Sequence, residues 1–250
     1  MTRIPPAPLV RYGGHPEQVA NLHLPASDPP FPTVALVHGG FWRDRWDRTL
    51  MTPLACDLAR RGFAAWNVEY RRVGQEGGGW PGTLDDVAAA LDHLVCIPEV
   101  ETDRVAVVGH SAGGQLALSA AARTQGQRPS YVVALAGLCD LARAHELDAD
   151  AVRAFLGGSP EEVPERYEQA SPRSRVPLGV GQLLVHGSDD DVVPPRLSEE
   201  YAAAARIAGD DVELIVVPRT DHFDVIAPAH RAWRLVVSRI ERLADRPVLP

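Results

Sequence analysis

Along the chain, short apolar runs rich in valine and leucine alternate with longer stretches whose apolar residues recur every three or four positions. That alternation predicts a largely parallel sheet covered by helices on both faces. Residues 33–37 read as the first buried strand. Residues 49–61 read as a helix with Leu50, Leu54, Leu58 and Ala59 at helical spacing, and Gly62 follows at a left-handed cap position. Strands are predicted over 63–69, 105–108, 132–136, 182–186 and 213–217. Helices are predicted over 84–95, 115–122, 197–208 and about 229–243. Between residues 140 and 177 the pattern loosens into short helices broken by Gly157, Gly158, Pro160, Pro164 and Pro172. Such an insertion commonly caps a site. Neither a linker nor a repeat interrupts the pattern, so residues 1–250 read as one α/β domain.

Composition narrows the chemistry. All 25 basic residues are arginine, and without lysine a Schiff-base, pyridoxal phosphate or P-loop enzyme lacks the residue it needs. The 33 acidic residues set the net charge at -8, the wrong sign for a nucleic-acid partner. Cys56, Cys96 and Cys139 are odd in number, widely spaced and set among apolar neighbours, which predicts buried free thiols. No metal or other cofactor is implied. The amino end has no apolar run long enough for a signal segment, and other apolar stretches are strand-sized. A cytoplasmic protein without a membrane partner is the expectation, with a homodimer left open.

In an open α/β sheet the working residues gather on loops beyond the carboxyl ends of the strands. After the strand at 105–108 comes Gly109-His110-Ser111-Ala112-Gly113, a G-x-S-x-G leading straight into a helix. A serine on such a turn is a candidate nucleophile, and the helix start directs free N–H groups at any oxyanion beside it. After 33–37 comes His38-Gly39-Gly40-Phe41-Trp42, whose glycines let backbone N–H groups turn inward. Gly40, Phe41 and Ala112 are therefore the expected oxyanion donors. A serine hydroxyl needs an imidazole to take its proton, and the imidazole needs a carboxylate on its other nitrogen. His222 follows the last strand, and Asp189, Asp190 and Asp191 follow the strand before it. The order Ser, Asp, His matches that of α/β-hydrolases. His38, His110 and His186 read as loop ties, although His110 also joins Trp42, Trp80 and Phe223 as a candidate substrate contact. The segment Gly77-Gly78-Gly79-Trp80-Pro81 reads as a mobile rim.

These motifs resemble the α/β-hydrolase superfamily, and within it the small esterase and arylformamidase (kynurenine formamidase-like) branch, related to hormone-sensitive lipase-type esterases. The likeness runs from about Tyr12 to the last helix and rests on His38-Gly39-Gly40-Phe41-Trp42, Gly109-His110-Ser111-Ala112-Gly113-Gly114, and His186-Gly187 with Asp190 and Val193-Pro194. In that branch the acid stands four residues after the histidine, which selects Asp190. The resemblance implies an α/β-hydrolase fold with a short helical cap and a Ser111–Asp190–His222 triad. Lipase-type members carry HGGG, and Phe41 in place of the third glycine argues against bulky tertiary-alcohol esters. The expected activity is hydrolysis of small carboxylic esters through an acyl-enzyme, lost towards acid pH as His222 takes up a proton. Its substrate is then a small-molecule ester or amide. The alternatives are arylformamidase action on N-formyl amides, an acyl peptidase, and a non-catalytic binding protein of the same fold.

Overall fold

A computed structural model describes residues 7–244, with side chains through residue 242. The first six residues, expected to carry no signal segment, and residues 245–250 lie outside them. Eight strands form one sheet: β1 (Leu9–Arg11), β2 (Val19–His23), β3 (Phe31–Val37), β4 (Ala64–Val68), β5 (Val100–His110), β6 (Tyr131–Leu135), β7 (Gly181–Gly187) and β8 (Val212–Val217). Their spatial order is β1-β2-β4-β3-β5-β6-β7-β8, antiparallel at β1–β2 and β2–β4 and parallel from β4 to β8. The helices are α1 (Thr52–Arg60), α2 (Gly82–Asp92), α3 (Ala112–Ala121), α4 (Leu141–Leu147), α5 (Ala149–Leu156), α6 (Pro164–Ala170), α7 (Arg196–Ile207) and α8 (Arg231–Ala244).

Side-chain alternation along the central strands divides the core in two. Ala35 and Val37 of β3, Val105 and Val107 of β5, and Val132 and Ala134 of β6 face α2, α3 and α7. Val34 and Leu36, Ala106 and Val108, and Val133 and Leu135 face α1 and α8. That two-faced burial explains why these strands read as continuous apolar runs. On α8 the stripe Ala232, Trp233, Val236, Val237 and Ile240 is buried, and each large side chain so buried contributes about 1.5–3 kcal/mol.

Two strands precede the first one legible in the sequence. β1 and β2 are three and five residues long, and β2 carries Asn21 and His23, so no apolar period announces them. They become strands because β4 offers β2 an open edge. The first helix begins three residues later than expected, since Arg48–Met51 winds as a 3-10 turn capped by Asp47. Residues 140–177 do form short helices, α4 to α6, and Leu141, Val152, Phe155 and Tyr167 from them join the larger half of the core. Of the cysteines, only Cys139 is fully buried; Cys56 is half-buried and Cys96 exposed, because its 3-10 turn turns it outward. Among the described residues no helix is long and apolar enough to cross a membrane. Because β3, β5, β7 and β8 run parallel, the loops after their carboxyl ends leave from the same edge of the sheet.

Candidate active site

β5 ends at His110, and Ser111 stands on the turn into α3 with φ 56° and ψ −121°. A non-glycine residue rarely adopts that conformation, and the surroundings must hold it there. Ser111 N–H donates to Leu135 O at 2.8 Å, and Ser111 O accepts from Gly114 N–H at 2.9 Å. The flanking glycines are required by contact: a Cβ on Gly109 would lie 2.0 Å from Gly113 O, and one on Gly113 2.2 Å from Val37 O. Ala112 is the first residue of α3, so its N–H lies at the positive end of the helix without an intrahelical acceptor.

Asp190 and His222 meet across the loops after β7 and β8. His222 Nδ1 lies 2.7 Å from Asp190 Oδ2, and both side chains are buried. An ionised carboxylate has no proton to give, so Nδ1 carries the hydrogen of this contact. Asp190 Oδ1 accepts from the N–H groups of Val192 and Val193 at 3.0 and 2.8 Å. His186 Nε2 sits 2.8 Å from Val193 O and 3.3 Å from Asp190 Oδ2, and its Nδ1 faces Ser198 Oγ at 2.7 Å. Burial alone would raise the Asp190 carboxyl. Hydrogen bonds from His186 and His222, the charge on His222 and the Val193 N–H outweigh it and hold the group well below the usual carboxylate range. Asp189 and Asp191 are exposed, and Asp221 caps its own turn by accepting from the N–H groups of Phe223 and Asp224.

The loop after β3 runs through three positive φ angles, 116° at Gly40, 50° at Phe41 and 56° at Trp42, and the two non-glycine residues are strained there. Arg43 N–H closes this left-handed turn on Gly40 O at 3.0 Å, so the N–H groups of Gly40 and Phe41 at its start have no acceptor within the turn. The loop abuts the serine, because a Cβ on Gly39 would lie 2.8 Å from Ser111 Cβ. Distant side chains hold it. His38 places Nδ1 2.8 Å from Gly39 O and Nε2 2.8 Å from Glu69 Oε1, with its ring stacked on Tyr70 at 4.2 Å. Burial would raise Glu69, but His38, Arg72 and the Arg48 N–H hold it below its ordinary value. Arg43 Nη2–H donates to both carboxylate oxygens of Asp148, which joins α4 to α5, at 2.8 and 3.1 Å.

Of the four residues expected to touch substrate, Phe223 alone is substantially exposed, at 46%. Trp42 is wholly buried: its ring stacks on Phe155 at 4.2 Å and its Nε1–H donates to Gln115 Oε1 at 3.2 Å. It braces the strained loop instead of lining the site. His110 is also buried; its Nε2–H donates to His222 O at 2.9 Å, its ring lies 4.6 Å from that of His222, and its Nδ1 has no partner. Burial, with the nearby charge of His222, pushes its pKa down to about 3, so it ties the serine turn to the histidine loop as a neutral donor. Trp80 lines a separate cleft of about 200 Å³ with Leu84, Leu116 and Arg123, and none of Ser111, Asp190 and His222 borders that cleft. Its segment is pinned: Trp80 N–H donates to Phe155 O at 2.8 Å and Gly79 N–H to Thr83 Oγ1 at 3.0 Å.

Sequence reasoning missed Trp46. A Cβ on Gly40 would fall 2.6 Å from Trp46 Cγ, and the indole lies 6.1 Å from the Phe223 ring. The clue was present: Trp46 is a lone aromatic in a run of arginines and aspartates, where no helical stripe explains it. Among the described residues no group of three or more histidine, cysteine or acidic side chains is arranged to hold a metal ion.

The prolyl oligopeptidase family profile matches residues 61–241. An uncharacterised peptidase of Bacillus subtilis, YtmA, is 32% identical over 147 residues, covering 54% of this chain and 55% of that protein. The esterase LipU of Mycobacterium tuberculosis is 32% identical over 188 residues, covering 64% and 59%. A truncated carbohydrate esterase from gut microbiota superposes with a TM-score of 0.86 at 19% identity, over 95% of each chain. The fold is that of the α/β-hydrolases. The comparisons support the superfamily without reaching its arylformamidase branch. This chain spans between 55% and 67% of the length of the curated relatives it matches.

Proposed function

The chain belongs to the prolyl oligopeptidase family, and from that premise we propose that it hydrolyses small carboxylic esters through an acyl-enzyme on Ser111. His222 Nε2 takes the Ser111 proton as Oγ attacks the ester carbonyl carbon. The resulting oxyanion is held by the N–H groups of Gly40, Phe41 and Ala112. When the tetrahedral intermediate collapses, the C–O bond to the alcohol breaks and His222 returns the proton to the leaving oxygen. A water molecule then repeats the sequence, releasing the acid and restoring the Ser111 hydroxyl. Carrying this reading is the 2.7 Å Asp190–His222 contact, in a loop tied by His110 to the strained turn that bears Ser111.

The test is hydrolysis of p-nitrophenyl acetate and octanoate by the wild type and Ser111→Ala proteins. Loss of about 10³-fold or more in kcat in the variant is expected, as for other serine triads. Turnover that survives the substitution would remove Ser111 from the reaction. A second reading, cleavage of small peptide amides, is favoured by the family itself and by the peptidase name of the Bacillus subtilis relative. An N-acetylalanine p-nitroanilide in the same assay separates it, since an amide hydrolase would cleave the anilide at a rate comparable to the acetate.

A further inference from the structure

Resting on the ester-hydrolase reading, we propose that Trp46 and Phe223 form the alcohol-side recognition surface, and that the substrates are esters of flat aromatic alcohols of the arylmethyl kind. Trp46 is one side chain that meets both lips of the site. Its Cβ, Cγ and Cδ1 lie against Gly40 of the oxyanion loop, where any Cβ would overlap them, and its ring approaches Phe223. The Phe223 ring stands edge-on to His222 at 5.3 Å and 5.9 Å from His110.

Position decides which half of the ester this surface meets. The leaving oxygen must come to His222 Nε2 to be protonated, so the group attached to it lies on the histidine side, over Phe223. The acyl carbon is held from the opposite direction, by the serine and the oxyanion donors. The surface is also set before substrate arrives: the Arg45 guanidinium lies 5.8 Å from the Trp46 ring centre, and Phe223 N–H donates to Asp221 Oδ1 at 2.8 Å. Two aromatic rings at the mouth, one of them half exposed, reward a planar π-face over a puckered ring of equal size.

Benzyl acetate and cyclohexylmethyl acetate make the test, because their alcohols are similar in size and leaving ability and differ in planarity. The ratio of their kcat/KM values should favour benzyl by about 2- to 12-fold in the wild type. Trp46→Leu and Phe223→Leu should each bring it towards one; a general loss of activity cancels in the ratio. An even ratio in the wild type, or a preference unchanged in both variants, overturns the proposal. If neither acetate is cleaved in a Ser111-dependent way, the ester reading itself fails. The surface is then judged by saturation-transfer NMR with benzyl alcohol against cyclohexylmethanol: preferential benzyl alcohol binding, lost in Trp46→Leu, retains it, and equal binding rejects it.

Discussion

The loop after β7 and the loop after β3 both carry residues assigned to the reaction, and they are held by opposite means. Asp190 is fixed by neighbours: its Oδ1 accepts from N–H groups two and three residues onward, and His186 stands four residues before it. The loop after β3 bends through three consecutive positive φ angles, and its ties come from Glu69, Gln115 and Asp148, which lie 31, 73 and 105 residues from their partners. Local hydrogen bonds travel with a motif wherever it is placed. A strained turn, costing about 1–3 kcal/mol per non-glycine residue, persists only when the surrounding fold imposes it. One of these loops is thus nearly self-contained, while the other depends on the segment joining α4 and α5 and on α3.

The largest expected effect attacks the self-contained loop at its centre. Asp190→Asn should lower kcat by about 10⁴-fold, because the amide no longer fixes the imidazole tautomer. A loss below about tenfold in steady-state ester hydrolysis would mean that another carboxylate serves, and the loop would not be autonomous. Trp42→Phe attacks the long-range tie instead. It keeps the stack on Phe155 but leaves Gln115 Oε1 without its donor, a buried omission that costs about 1–3 kcal/mol. Denaturant unfolding should report that loss, and kcat should fall more than KM rises; unchanged kcat would show that the turn holds without its brace.

A third experiment probes the joint between the two regions through pH. His110 is neutral when folded, with a pKa near 3, whereas the unfolded imidazole titrates near 6.5. Between those values the unfolded chain binds the extra proton, so stability should fall as pH drops from about 6.5. His23, also lowered by burial, contributes in the same direction. His110→Gln should therefore flatten the decline of Tm between pH 7.5 and pH 5 without abolishing it, and an unchanged slope would contradict a neutral His110. Asp190 and Glu69, whose pKa values are lowered, keep their stabilising contribution until pH falls below about 4. The smallest effect is expected for Arg43→Ala. Its pair with Asp148 is partly exposed, so it is worth under about 1 kcal/mol, and the few-fold loss of kcat should vanish in high salt. A loss that persists in salt would point to packing of the arginine over Phe41.

The residues legible in the sequence are those whose function needs a local pattern. Gly109 and Gly113 flank Ser111 because strand and helix backbones touch there, and that requirement is written at fixed offsets. Asp190 could be singled out among three aspartates only through a family resemblance, and the fold shows it as the buried one. The aromatics were harder. Trp42, Trp46 and Trp80 are the same residue type in glycine-rich or charged surroundings, yet one braces a loop, one packs between Gly40 and Phe223 and one borders a different cleft.

The sequence by itself determined the alternation of strands and helices, the serine turn and the order of the acid and histidine loops. Periodicity and close backbone approach are short-range constraints, and they leave a mark in neighbouring letters. Only the tertiary structure decided the antiparallel edge strands, the burial of Trp42 and His110, and the meeting of Trp46 with Phe223. Each of these depends on contacts between segments far apart in the chain, where no local spacing records which face of a residue will be covered and which will be left open to a substrate.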